Sequence, residues 1–151
     1  MLAEGDTLPK LTVTGDDGKA VTTTDLLGGT LVLYFYPKDD TPGCTSEASQ
    51  FRDLHAKFEK KGARIVGVSR DSAESHRKFK TKYSIPFTLL ADTDSSLCDA
   101  FGVIVEKNMY GKKSMGVARA TFLIDERGSI VKVWRKVKVD DHADEVLSSL
   151  P

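Results

Sequence analysis

Residues 30–69 read TLVLYFYPKDDTPGCTSEASQFRDLHAKFEKKGARIVGVS, and this stretch decides the fold. Thr30 to Tyr36 is an unbroken run of apolar, β-branched and aromatic residues, the pattern of a strand covered on both faces and so central in its sheet. Pro37 ends the run, and the polar Lys38-Asp39-Asp40 leads into Thr41-Pro42-Gly43-Cys44. Beyond it Ala48, Phe51, Leu54, His55 and Phe58 recur at helical spacing until Lys60-Lys61-Gly62 supplies a basic last turn and a glycine stop. Arg64 to Ser69 is a second buried strand. Strand, amphipathic helix and strand in that order make a parallel unit with a right-handed crossover.

The flanks extend the same theme. Leu11 to Thr14 and Lys19 to Thr22 alternate in polarity around Gly15-Asp16-Asp17-Gly18, a hairpin signal. Asp71 to Tyr83 reads as a helix, Phe87 to Ala91 as a short strand, and Asp94 to Phe101 as a helix with Leu97, Cys98 and Phe101 on one face. Glu106 to Gly116 mixes charge, Gly and Met without periodicity and reads as a surface loop. Thr121 to Asp125 and Ile130 to Arg135 flank Glu126-Arg127-Gly128-Ser129 as a second hairpin, and Asp140 to Leu150 closes the chain as a helix. With no linker, repeat or low-complexity break in 151 residues, the expectation is one domain over 1–151. Its class is α/β: a central mixed sheet with helices on both faces and an N-terminal β-hairpin, compatible with a thioredoxin-like arrangement.

Composition narrows the function classes. Apolar residues make up 40% and charged ones 29%, ordinary for a soluble globular chain, and 22 basic residues balance 22 acidic ones. No net field exists to draw nucleic acid or anionic lipid, so neither is an expected partner. The first residues lack the basic start and apolar stretch of a secretory signal, and no apolar run reaches membrane-spanning length, which reads as a cytoplasmic protein. Two cysteines, Cys44 and Cys98, and three histidines, His55, His76 and His142, are too few and too scattered for a structural zinc site. No phosphate-binding glycine pattern is present, so no metal, flavin, haem or nucleotide cofactor is expected.

That leaves the thiols. A thiol reacts as its anion, and Cys44 has local features that favour one. Thr41 suits an N-cap and Pro42 the first helical position, which puts Gly43 and Cys44 in the first turn among unpaired backbone N–H groups. Gly43 has no side chain to block a small ligand approaching those groups, and the position lies just past the end of a parallel-type strand. Read locally, Cys44 is either an activated thiolate or a small hydrophobe between two elements. The residue one turn on is Glu47, so the Cys-x-x-Cys pattern of disulfide exchange is absent.

The segment from Tyr34 to Ala48, YFYPKDDTPGCTSEA, resembles the active-site segment of peroxiredoxins of the bacterioferritin comigratory protein, or PrxQ, subfamily. The likeness continues through Phe51-Arg52-Asp53, Ile65 to Ser69, Ile85-Pro86-Phe87, Glu106-Lys107 and Arg119 to Asp125, and so covers nearly the whole chain in order. It implies a thiol-dependent peroxidase that reduces hydrogen peroxide and organic hydroperoxides through a sulfenic acid on Cys44, serving antioxidant defence and redox homeostasis. Thr41 would be the hydroxyl that hydrogen-bonds the peroxide, Pro37 the ring that shields the pocket from water, Arg119 the catalytic arginine, and Glu47 a residue that orients it. The resemblance also points to a subfamily that is usually monomeric. Each role suits the chemistry, because displacing an oxygen anion from a peroxide needs a sulfur anion and fixed donors where charge develops.

The chain departs from that pattern in one respect. Many members carry a resolving cysteine five residues after the peroxidatic one, and here that residue is Ser49. Others place it on the following helix, yet Phe79 to Lys82 holds no cysteine. Either Cys98 resolves the sulfenic acid or an external thiol such as thioredoxin, or glutaredoxin with glutathione, does so. The apolar face that Cys98 shares with Leu97 and Phe101 favours the external thiol and a one-cysteine cycle.

Overall fold

The apolar run at the head of the opening stretch forms strand β3 (Thr30–Phe35), with every residue after Thr30 buried. The structure is a computed structural model that describes residues 2–151, apart from the side chain at position 109. Before β3 come β1 (Thr12–Gly15) and β2 (Ala20–Thr22); after it come α1 (Pro42–Lys60), β4 (Ala63–Ser69), α2 (Ala73–Tyr83), β5 (Thr88–Ala91) and α3 (Ser96–Ala100). The chain finishes with β6 (Ile104–Met109), β7 (Lys112–Val117), β8 (Ala120–Ile124), β9 (Ile130–Trp134) and α4 (His142–Ser148). Among the described residues no helix is long and apolar enough to cross a membrane.

Seven strands form one mixed sheet in the order β2-β1-β5-β4-β3-β8-β9. The expected parallel unit is at its centre: β3 and β4 run parallel with Val32 opposite Ile65 and Tyr34 opposite Gly67, and β5 continues parallel beside β4. Antiparallel β8 covers the other side of β3, and both predicted hairpins close as read. The two-residue period of β3 then sorts the core into two layers. Leu31, Leu33 and Phe35 pack with Leu97, Cys98 and Phe101 on one face; Val32, Tyr34 and Tyr36 pack with Cys44, Phe51 and Phe58 of α1, Phe79 of α2, and Val146 of α4 on the other. Helices thus cover both faces, as expected of a thioredoxin-like fold. Phe51 and Phe58 are fully buried, and each stabilises the seat of α1 by about 2–3 kcal/mol.

One expectation fails. Glu106 to Gly116 is no loop but the bulk of a separate two-stranded ribbon, β6 against β7, in register from Ile104 opposite Val117 outward. Its two-residue turn is Tyr110-Gly111, both at positive φ (54° and 79°), the geometry whose twist matches antiparallel strands. The buried Val103 and Val117 anchor its base, and the Ala118 N–H donates to the Val103 carbonyl at 2.7 Å. The ribbon is therefore continuous with the segment that carries Arg119.

Candidate active site

The polar loop between β3 and α1 is fixed mostly by side chains distant in sequence. Asp39, 7% exposed, accepts from the Tyr36 hydroxyl at 2.6 Å and the Ser75 hydroxyl at 2.8 Å, and its Oδ2 lies 2.7 Å from His76 Nδ1. The other ring nitrogen of the fully buried His76 donates to the Leu90 carbonyl at 2.9 Å, so both ring nitrogens are hydrogen-bonded. The Asp39 N–H donates to Asp71 at 2.8 Å. Asp40, in the left-handed region (φ 57°), accepts from Lys82 at 2.8 Å and the Tyr83 hydroxyl at 2.6 Å, and these bonds hold its carboxyl below the usual range. The loop is thereby tied to both ends of α2. Apart from Tyr36, three residues before Asp39, these partners lie too far along the chain for any local pattern to join them.

From this loop the chain enters α1, with Thr41 in extended conformation at the N-cap and Pro42 first in the helix. The cap differs from expectation in one bond. The Thr41 hydroxyl donates back to the Lys38 carbonyl at 2.9 Å and does not cap the helix. Among the described residues the first-turn N–H groups of Gly43 and Cys44 have no acceptor, and the first turn holds no acidic residue. A partial positive charge therefore faces the Cys44 sulfur.

Arg119, just before β8, completes the arrangement across 75 residues of sequence. Its Nη2 donates to Cys44 Sγ at 3.4 Å and its Nη1 to Glu47 Oε1 at 2.7 Å. Glu47 is 1% exposed and stands one turn after Cys44 on α1. Burial pushes its carboxyl up to about 7, against the pull of Arg119. Burial also works against the arginine's charge, but Glu47 and Cys44 outweigh it and hold the guanidinium above its ordinary value. Gly43 has a second purpose that sequence did not show: a Cβ there would meet Arg119 Nη2 at 3.0 Å. Pro37 is half-buried immediately after Tyr36, and Ser49 is half-buried on α1.

Cys44 and Cys98 are both free and buried, but the sheet separates them. Cys44 lies in the layer with Val32 and Tyr34, and Cys98 in the layer with Leu31 and Phe35. Burial, and then the Asp92 carboxylate, push the Cys98 thiol far up. Among the described residues no three His, Cys, Asp or Glu side chains gather as a metal site.

Comparison with known proteins places the chain in a family. Residues 5–133 match the model of the AhpC/TSA family. A putative peroxiredoxin bcp of Coxiella burnetii is 51% identical over 146 residues, covering 97% of each chain. The solved structure of a cysteine-to-serine mutant of Xylella fastidiosa PrxQ superposes with a TM-score of 0.94 at 44% identity over 99% of this chain and 96% of that one. The Xanthomonas campestris bacterioferritin comigratory protein superposes at 0.88 with 47% identity, over 96% of this chain and 97% of that one. Since the likeness runs the length of the chain and includes the elements that bring Arg119 to Cys44, the chain belongs to the AhpC/TSA family, as a peroxiredoxin of the Bcp or PrxQ type, and is a thiol-dependent peroxidase.

Proposed function

We propose that Cys44 is the sulfur that takes oxygen from the hydroperoxide, with Arg119, Thr41 and the first-turn N–H groups of α1 as its partners. The observation that carries this reading is the Arg119 guanidinium, which bridges Cys44 Sγ and the buried Glu47. The thiolate attacks the terminal peroxide oxygen. An S–O bond forms as the O–O bond breaks, the leaving oxygen takes a proton to become water or an alcohol, and the sulfur is oxidised to a sulfenic acid. Arg119 donates where negative charge develops, and its charge persists at any physiological pH. With its own proton given to Lys38, the Thr41 hydroxyl offers lone pairs to the O–H of the peroxide. Glu47 orients the arginine, Gly43 leaves it room, and Pro37 screens the pocket from water.

Hydrogen peroxide and small organic hydroperoxides are the substrates under this reading; the alkyl peroxide reduction described for the Xanthomonas campestris relative supports the organic class. The reductant is an external thiol, because Cys98 lies on the far face of the sheet. Free cysteines on opposite faces suit a reducing, cytoplasmic setting, and the subfamily resemblance supports one domain acting as a monomer. Peroxide turnover with a thiol reductant tests the assignment. Cys44→Ser is expected to abolish it and Cys98→Ser to leave it intact; turnover that survives Cys44→Ser refutes the role of Cys44. Mass spectrometry of peroxide-treated protein is expected to show no bridge between Cys44 and Cys98.

A further inference from the structure

The β6–β7 ribbon brings a lysine to the segment that leads into Arg119. Lys107 of β6 has Ser114 as its cross-strand partner. The Lys107 side chain lies over Gly116, where a Cβ would meet Lys107 Cδ, Cε and Nζ at 3.0, 3.1 and 3.5 Å. From Gly116 the chain runs through Val117 and Ala118 directly into Arg119, whose guanidinium holds the Cys44 sulfur. Arg70, one residue past β4, reaches the same stretch and donates from Nη2 to the Met115 carbonyl at 2.9 Å. Three cations thus converge on residues 115–119 in a chain whose formal net charge is zero. The nearest acid on the ribbon, Glu106, is turned to Lys113 at 3.6 Å, and Glu47 is spent on Arg119. Burial and Arg119 hold the Lys107 ammonium below its ordinary value while Cys44 pulls the other way and Arg70 adds to the lowering, as expected of a group within reach of all three.

We propose that Lys107, with Arg70, recruits a small carboxylate-bearing thiol as the reductant of the Cys44 sulfenic acid. The proposal rests on the external-thiol reading above and names the chemical class of that thiol. The attacking species is itself an anion, since a thiolate displaces the sulfenic oxygen, and a carboxylate on the same molecule adds a second point of attraction. In the first step the S–S bond to Cys44 forms, the S–O bond breaks, and the oxygen leaves as hydroxide to become water. A second thiolate then attacks the mixed disulfide, releasing the Cys44 thiolate and a symmetrical disulfide. Two thiols are oxidised and the sulfenic sulfur is reduced. A small molecule also fits access to a cysteine only 2% exposed.

The test follows the reductive step directly. Wild type, Lys107→Met and Lys107→Arg are oxidised with one equivalent of hydrogen peroxide, and reduction is timed with glutathione, 2-mercaptoethanol and cysteamine, each normalised to its thiolate concentration. Lys107→Met keeps the stem over Gly116 and removes the charge. The expected result is a ratio of glutathione to 2-mercaptoethanol rates that falls about 3-fold in Lys107→Met, recovers in Lys107→Arg, and in wild type declines with added salt. An unchanged ratio, or a wild type that prefers cysteamine, overturns the proposal. So does a ratio that holds while oxidation by a carboxylate-bearing hydroperoxide slows in Lys107→Met, which would assign the lysine to the peroxide. A mass spectrum taken before thiol is added separates the two layers: a disulfide between Cys44 and Cys98 removes the external-thiol reading and this proposal with it, whereas an intact sulfenic acid with an unchanged ratio removes this proposal alone.

Discussion

Replacing Gly43 with alanine should move stability and activity in opposite directions. Gly43 is the second residue of α1 with ordinary helical backbone, so alanine is conformationally acceptable there. In a helix interior the exchange stabilises by roughly 0.5–1 kcal/mol, and somewhat less in a first turn. Against this stands the contact with Arg119. The new Cβ would lie 3.0 Å from Nη2, tighter than an ordinary contact, and the guanidinium must yield by a few tenths of an ångström. Because that nitrogen ends a flexible side chain, yielding costs the fold little. It costs the site more, for the same Nη2 is the donor to Cys44 Sγ at 3.4 Å while Nη1 is held by Glu47 at 2.7 Å. Losing a whole donor at a developing anion costs about 10²- to 10³-fold in rate, so a displaced one should cost roughly 10-fold, about 1.4 kcal/mol of barrier. Thermal unfolding and initial rates of peroxide consumption, measured on the same preparations, check both halves. The expectation is a Tm equal to wild type or up to about 3 °C higher, with kcat/KM reduced roughly 10-fold. A Tm several degrees lower would show that Gly43 is needed by the backbone, and an unchanged kcat/KM would show that the close approach to Arg119 has no catalytic meaning.

Other substitutions probe the parts separately. Arg119→Met should lower kcat/KM by about 10²-fold or more and also destabilise, since it leaves Glu47 buried with no counter-charge; because that carboxyl is already near 7, the loss of Tm should be larger at pH 8 than at pH 6, and adding Glu47→Gln should restore Tm but not rate. Asp39→Asn removes a carboxylate that accepts from Tyr36 and Ser75 and is hydrogen-bonded to His76, so the urea midpoint should fall by the equivalent of about 1–3 kcal/mol with the slope unchanged. His142, buried under α1 and bonded to Thr121 at 2.8 Å, is held down to about 4 from an ordinary 6.5, chiefly by burial. The folded chain therefore refuses a proton that the unfolded chain accepts, and stability present above about pH 6.5 is lost as pH falls toward 4. His142→Gln should flatten the dependence of Tm on pH in that window; an unaltered slope refutes the assignment.

The elements that came through from sequence are those whose apolar period is strong. β3 and β4 are buried on both faces and α1 on one, so hydrophobic spacing alone located them and their parallel pairing. The β6–β7 ribbon escaped because Glu106, Lys112, Lys113, Ser114 and Met115 all face solvent, leaving no alternation to read, and its turn is Tyr-Gly rather than the familiar Asn-Gly. At the site, chain position showed how Thr41, Pro42 and Gly43 present Cys44 to the first turn, and the family resemblance supplied Arg119 and Glu47. The Asp39–His76 pair joins residues 37 apart through the fold alone. Room for Arg119 at Gly43 is likewise a property of two backbones brought together, invisible in either segment by itself.

The two cysteines show how little a helix N-terminus decides by itself. Cys44 is the third residue of α1 and Cys98 the third residue of α3, so each sulfur sits in the first turn of its helix, and both are buried. They differ in what occupies the backbone donors. At α3 the Asp92 carboxylate accepts from the Leu97 N–H at 3.0 Å and from the Cys98 N–H at 2.7 Å, so an anion already fills the place a thiolate would use. That carboxylate adds to burial in pushing the Cys98 thiol upward. At α1 no acid stands in the first turn, the cap hydroxyl is turned away to Lys38, and the nearest carboxylate, Glu47, is engaged by the arginine that also reaches the sulfur. Reactivity follows from which anion the helix end is left free to hold. The same contrast bears on regeneration: a thiol that keeps its proton on the far face of the sheet is a poor nucleophile toward a sulfenic acid it does not face. Under the proposed function, an oxidised Cys44 is therefore met by a thiol from outside the chain.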